Sequence, residues 1–577
     1  MPTVDVNQLN YGLIVPELVV LGLIFLTWVL DLMLPAGRKA AIGWVTVVGL
    51  VVAIATAVPL WGVRDDFAVV LRIDEFSTFF KLLFLGTAIG ITLISIEYAD
   101  RFLFQPGEFY GLVLCGTLGM IFMAEANELL TAYIALELLS FSSYVLVSYA
   151  KTNLKSNEAG MKYIILGAFS SALLLYGISL LYGTLGTTYF PDIARNVERL
   201  GVVSPAFGVG LALIMAGLGF KVAAVPFHMW TPDVYEGAPT PITAYLSVAS
   251  KAGAFALVMR FLIGALLPLR DQYQVVFAVL AVLTMTVGNL VAIQQRNVKR
   301  LLAYSSIAQA GYVLVGLAAI TADVEVSEHA VRGMMLHLAG YAFTNLAAFG
   351  AFIAFQNLNQ GRELVADLAG LARRAPFVAL AMMAGLFSLA GMPFFAGFVT
   401  KFYLFAAAAR AELLWLVAIG VINSTISLYY YLLVVYQMYV RPPVGFEVPD
   451  GHGHAAVTHA PQPVLAGAVP VAATAGGGTV ALHAEGGASG AEAGHGYAGH
   501  GSNGHAADGH SGGPDVPWWG RSITAEMPPE QFFPPYRVSR TITLSLVLFL
   551  VGVFFLGLWP QPVMDLLQAA GRSLFVG

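Results

Sequence analysis

Gly217–Thr240 reads GLGFKVAAVPFHMWTPDVYEGAPT. The run before it, SPAFGVGLALIMA, is apolar enough to enter a bilayer, yet Lys221, Pro226 and His228 then arrive within eight residues. A charge, a helix breaker and a titratable ring are each costly in hydrocarbon, and irregular backbone is tolerated there only beside protein or a wet cavity. This stretch is expected to be a wet break in a membrane helix, built around a movable charge.

The rest of the chain fits that setting. Of 577 residues 58% are hydrophobic and 11% charged, with mean hydropathy +0.76; soluble domains carry about 25% charged residues. Apolar runs of about 20 residues predict fourteen spans, at 11–34, 41–61, 76–97, 108–124, 128–149, 160–184, 204–228, 239–264, 273–294, 300–320, 330–354, 376–407, 412–439 and 540–560. With no Lys or Arg before Arg38, the first run reads as a retained span rather than a signal peptide. Placing the N-terminus outside puts eleven basic loop residues inside and seven outside, so both termini are expected outside. The fold class expected is an all-α polytopic membrane protein.

The single cysteine, Cys115, excludes a cysteine-ligated iron–sulfur cluster or a disulfide framework in this chain. No phosphate-binding loop sits in a strand–helix context. Redox chemistry or ATP hydrolysis, if involved, belongs to another subunit, and neither a metal nor a nucleic-acid partner is expected. Residues 441–539 hold eight of the eleven histidines, with His495, His500, His505 and His510 five apart. Their Gly/Ala/His-rich composition predicts a disordered loop on the inner side, either a solvated linker or a loose metal binder. Trp518 and Trp519 near its end are candidates for the membrane interface or a neighbour.

Nine lysines are present, and Lys162, Lys221, Lys251 and Lys401 fall within spans. A central lysine costs roughly 2.5–3.5 kcal/mol on insertion scales, so a partner or a wet path must offset it. Lysine rather than arginine matters: a desolvated amine can release its proton, a guanidinium cannot. Glu137, mid-span in ELLTAYIALELLSFSSYVLVSYA, is the natural counter-charge. A Glu–Lys pair about 6 Å apart at an effective dielectric of about 20 interacts by roughly 3 kcal/mol, enough to hold or release a proton as the carboxylate moves. Lys162 opens its span and either snorkels to the interface or joins the relay. Lys81, near the start of the third span, is expected to snorkel. His228 is either a satisfied structural ring or a relay group. Glu17 and Asp31 have no assigned role.

The opening stretch has a counterpart in LFSLAGMPFFAGFVTKFYLF, where Gly391, Pro393, Gly397 and Lys401 repeat the theme of Gly217, Gly219, Lys221 and Pro226. The two interrupted spans are five apart. A five-span unit has odd parity, so its repeat must be inverted, and paired broken helices point to an inverted-repeat transporter. The expected organisation is three N-terminal spans (1–107), repeats at 108–264 and 273–440, the His-rich loop (441–539) and a last span with the C-terminus (540–577).

GFKVAAVPFHMWTPDVYEGAPTPITAYLSVASKAGAFALVMR, NVKRLLAYSSIAQAGYVLVG and SLAGMPFFAGFVTKFYLF together resemble the antiporter-like subunits of respiratory complex I, the proton-translocating NADH:quinone oxidoreductase. The likeness covers about 1–440 plus the last span. ELLSFSSYVL around Glu137 and TKFY at Lys401 are similar to the subunit N branch, whereas subunit M usually has glutamate at the last lysine. The resemblance implies that Glu137 and Lys221 are a charge-switching pair and that Lys251 is the central relay lysine. It makes Lys401 the terminal lysine near the exit, His228 a bridging group, and Lys162 the link toward a neighbouring subunit. It implies no cofactor in this chain, with NADH, FMN, iron–sulfur clusters and quinone in partner subunits. The implied partners are antiporter-like subunit M, small subunits J and K, and the lateral helix of subunit L, in a bacterial inner membrane. Two departures stand out: Gln309 where the family often has histidine, so that water must bridge there, and the His-rich loop. A cation/proton antiporter subunit shares the fold and is the rival reading; a non-transporting scaffold is another.

Overall fold

In lipid every backbone amide must be paired within the protein, so long hydrophobic runs close their hydrogen bonds as helices. The structure, a computed structural model, describes residues 9–103, 105–200, 204–442 and 536–575. The His-rich 441–539 segment, with Trp518 and Trp519, lies almost wholly outside the described residues.

Chain order begins with α1 (Val15–Met33), α2 (Ala40–Ala57) and a hairpin of β1 (Asp65–Phe67) and β2 (Leu71–Ile73), antiparallel with Asp65 opposite Ile73. Next come α3 (Glu75–Phe102), α4 (Pro106–Glu125), α5 (Leu129–Val147), α6 (Leu154–Leu185), α7 (Phe190–Leu200) and α8 (Pro205–Val222). They are followed by α9 (Trp230–Gly237), α10 (Thr240–Tyr245), α11 (Lys251–Leu266), α12 (Arg270–Ala292), α13 (Val298–Ala318) and α14 (Val324–Leu358). The chain closes with α15 (Leu371–Arg374), α16 (Pro376–Ala390), α17 (Ala396–Arg410), α18 (Leu414–Tyr439), α19 (Arg540–Leu558) and α20 (Gln561–Ser573).

Twelve helical runs among the described residues are long and apolar enough to cross a membrane, and the chain is an all-α polytopic membrane protein apart from its small hairpin. One run, Thr240–Ala292, has 53 residues. At about 1.5 Å per residue it exceeds twice a hydrocarbon core of about 30 Å, and a 3-10 turn at Leu267–Leu269 divides it. The expected spans 239–264 and 273–294 fall on either side of that turn. The span 376–407, expected to be interrupted, is two helices of 15 residues, α16 and α17, each too short to cross alone.

Burial sorts the helices into a centre and a rim. The most apolar windows of α13 and α14 are 94% buried, those of α2 and α18 only 33%. Rim helices turn large apolar side chains outward, such as Leu32 and Phe169, as a lipid-facing surface requires. The 35-residue α14 packs against α3, α13, α16, α17, α19 and α20, so its inward side chains reach groups from both halves of the chain.

Both interrupted spans break where glycine and proline accumulate. Helix α8 ends at Val222, and Ala223 takes a left-handed conformation (φ 61°). Helix α16 ends at Ala390, and Gly391 does the same (φ 85°), a terminator that glycine adopts without strain. A third irregularity had no sequence signal: Leu246–Ser250 forms a π-helical turn directly before Lys251, and such turns widen a helix and often sit at functional positions.

Lys81 departs from the sequence expectation. Rather than snorkelling, it is fully buried, with Glu17 and Glu125 each 2.7 Å from its ammonium. Its place near a span end favours snorkelling, but neighbours from α1 and α4 decide its fate.

Candidate functional site: a line of buried lysines

At the first break, the freed backbone groups find partners one by one. The Ala224 amide donates to Gly219 O (2.9 Å), the Trp230 indole to Phe220 O (2.9 Å), and the Val225 amide to Thr284 Oγ1 (3.0 Å). Lys221 lies in the last turn of α8, where the helix dipole favours a cation. Its ammonium donates to Ser140 Oγ at 2.6 Å and stands 5.6 Å from the Tyr144 ring. Glu137 is three residues before Ser140, on the same face of α5. It makes no ion pair within 4.0 Å, and its Oε1 is buried without a hydrogen-bond partner among the described residues. Ser140 thus holds Lys221 one helical turn from Glu137, and no ion pair joins the two among the described residues. His228 is half-buried, and its Nδ1 also lacks a partner.

Lys251 lies just past the π-turn. It is 2% exposed and donates to the Ser306 carbonyl on α13 (2.8 Å). Tyr341 of α14 donates to Ser306 Oγ (2.9 Å), and His337, one turn earlier, stacks on the Tyr341 ring. His337 Nδ1 lies 3.1 Å from Thr400 Oγ1, beside Lys401, and its Nε2 is buried without a partner among the described residues. Sequence reading missed His337. The available signal was its place mid-run in MMLHLAGYAF, since only three histidines lie outside the 441–539 segment.

At the second break, Lys401 of α17 reaches back to the end of α16. It donates to Leu389 O (2.8 Å) and Ser424 Oγ (3.0 Å), with its ammonium 4.4 Å from the Tyr312 ring. Gln309 donates to the same Leu389 carbonyl (3.0 Å), and Ser424 donates to Ala390 O (2.9 Å). The terminal carbonyls of a broken helix are thus capped by side chains from three other helices. Gly397 permits the fold-back: a Cβ there would meet Ser388 O at 1.7 Å.

Comparison with known proteins follows the same residues. A family model described as NADH:quinone oxidoreductase/Mrp antiporter, TM matches residues 126–427. The chain is 44% identical over 440 residues to NADH-quinone oxidoreductase subunit N of Trichlorobacter lovleyi, covering 76% of this chain and 89% of that protein. This chain belongs to the NADH-quinone oxidoreductase subunit N family. A second subunit N, from Moorella thermoacetica, is 47% identical over 420 residues, 72% of this chain and 86% of that one. A chain of respiratory complex I from Thermus thermophilus with bound aureothin superimposes with TM-score 0.61 at 32% identity, over 74% of this chain and 90% of that chain.

Within this subunit N family member, buried cations fall into two kinds. Lys81, Arg260 and Lys299 are each at most 4% exposed in their side chains, and each touches a carboxylate: Glu17 and Glu125, Asp74 at 2.5 Å, and Glu363 at 2.5 Å. Lys221, Lys251 and Lys401 are as deeply buried, and none has a carboxylate within 4.0 Å among the described residues. Their partners are hydroxyls and main-chain carbonyls. A paired buried cation stays charged; an amine held only by neutral oxygens can lose its proton at much lower cost. Lys162 belongs to neither kind. Its side chain is 44% exposed and bridges Glu158 (2.8 Å) and Asp233 (3.0 Å), while Arg300 also reaches Asp233 (2.8 Å).

Proposed function

We propose that this chain is a proton-translocating membrane-arm subunit of an NADH:quinone oxidoreductase, without redox chemistry of its own. Protons pass along Glu137, Lys221, His228, Lys251 and Lys401, with His337 bridging the last two lysines and Lys162 linking toward a neighbouring subunit. The observation that carries this reading is the contrast between paired and unpaired buried cations: among the described residues, only the three buried lysines of the broken and bulged helices lack a carboxylate partner. Glu137, unpaired and close to Ser140, is poised to move toward Lys221 and away from it. When near, it holds the ammonium; when withdrawn, the proton passes to water in the break and on to Lys251.

Counting the 53-residue run as two crossings and α16–α17 as one broken crossing gives fourteen, with inverted repeats over 108–264 and 273–440. Both termini lie outside a bacterial inner membrane. Neighbours are subunit M, small subunits J and K and the lateral helix of subunit L; NADH, FMN, iron–sulfur clusters and quinone belong to partner subunits.

The test is NADH-driven proton pumping in inverted membrane vesicles. Lys251→Met should abolish or strongly reduce the pumped fraction assigned to this subunit while the complex still assembles, and Lys251→Arg should impair it too. An unchanged proton-to-electron ratio in assembled Lys251→Met complex would leave only a scaffold. Sodium-dependent transport without NADH would favour the antiporter reading.

A further inference from the structure

The relay leaves unused a second set of titratable groups, built from α1, α3 and α4. Glu17 (α1), Lys81 (α3) and Glu125 (α4) are 3%, 0% and 0% exposed. Glu17 Oε1 and Glu125 Oε1 are both 2.7 Å from the Lys81 ammonium. Two oxygens that close to one nitrogen lie no more than twice that distance apart. No other hydrogen-bond donor reaches either carboxyl among the described residues. Other nearby charges are already engaged. Arg64 pairs with Glu75 (3.0 Å), Arg260 with Asp74 (2.5 Å), and Glu128 accepts from the Thr131 and Thr188 hydroxyls (2.7 Å each). Asp31 of α1 and Lys39, just before α2, pair with each other at 3.0 Å.

Two carboxylates facing one ammonium in a buried site carry one uncompensated negative charge, which burial strongly disfavours. Like charges that share a site relieve this by keeping one proton between them. We propose that Glu17, Lys81 and Glu125 form a second proton-binding site, holding one exchangeable proton between the two carboxyls. The route in and out runs along one face of α3. Asp74, Thr78 and Lys81 lie at i, i+4 and i+7, about 10 Å along the axis. The Thr78 hydroxyl is buried between them without a partner among the described residues. Asp74 forms part of the wall of a polar cavity of about 300 Å³, shared with Arg64, Asp66, Arg72 and Ser573. Arg260 holds Asp74 there and also donates to Ala124 O (3.1 Å), the carbonyl just before Glu125. The cavity and the cluster are thus tied together by one guanidinium and one stripe of α3.

This site is independent of the relay reading, and its test uses no pumping measurement. Infrared difference spectra of the assembled complex in membranes should show a protonated-carboxyl C=O band that is lost in both Glu17→Gln and Glu125→Gln. In wild type the band should shift within minutes of transfer to D₂O, and Thr78→Val should slow that shift at least tenfold. Each glutamine mimics a neutral carboxyl and leaves one carboxylate against Lys81, so both variants should assemble. A band unchanged in both variants, a wild-type band that does not exchange over hours, or failure of both variants to assemble would each overturn the proposal.

Discussion

Gln309 and Lys401 donate to one and the same carbonyl, that of Leu389, from helices α13 and α17. Gln309 is thus a structural cap on the broken α16 rather than a gap left by a missing histidine. Gln309→Ala should cost one neutral hydrogen bond, about 1 kcal/mol, because Lys401 still holds the carbonyl. Proton pumping in vesicles should fall less than about tenfold with assembly intact; complete loss would put the Gln309 side chain itself in the conduction path.

Ser140 is the direct hydrogen-bond partner of the Lys221 ammonium. A hydrogen bond to a charged group is worth about 1.5–3 kcal/mol. Ser140→Ala should lower pumping by roughly tenfold or more, and Ser140→Thr should restore most of it. Equal rates in all three forms would show that Glu137 alone controls the lysine.

His337 is tied to Thr400 and stacked on Tyr341. His337→Gln keeps a hydrogen-bonding side chain of similar reach but cannot titrate. Blue-native gels should show normal assembly while pumping drops; normal pumping in the variant would remove His337 from the relay.

Gly397 has no room for a methyl group, because the obstruction is backbone: Ser388 O would lie 1.7 Å from the new Cβ. Gly397→Ala should exceed the roughly 1–3 kcal/mol of ordinary overpacking and deplete the subunit from membranes. Gly208→Ala, where nothing lies within 4 Å, is the control and should accumulate normally.

The Arg260–Asp74 pair is buried, with side chains 4% and 3% exposed. Arg260→Met should destabilise by about 3–5 kcal/mol by leaving a buried carboxylate unpaired. The double change Arg260→Met with Asp74→Leu should recover most of that in a thermal assay of the solubilised complex. A double variant no better than the single would assign the loss to packing, including the Arg260 contact over Phe76.

The helices and their two breaks were legible in the chain because their causes are local. Some twenty apolar residues leave no alternative to a helix in lipid, and Pro226, like Gly391 and Pro393, marks where the run is interrupted, just beyond the ends of α8 and α16. Lys221, Lys251 and Lys401 were equally visible, since an amine mid-run is conspicuous. The π-turn before Lys251 was not, because LSVAS carries no breaker. His337 was overlooked because a lone histidine in an apolar run is ambiguous until Thr400 and Tyr341 are seen beside it.

Sequence by itself determined that this chain spans a membrane many times, near which residues its helices break and that Lys221, Lys251 and Lys401 lie at depth. Tertiary structure alone decided which of those charges are neutralised. Lys81 and Lys251 are both buried amines, yet Glu17 and Glu125, 64 and 44 positions away in the chain, close on the first, while a carbonyl receives the second. The reason is that helix formation depends on neighbours a few residues apart, whereas the solvation of a buried charge depends on whatever group the packing of distant helices sets beside it.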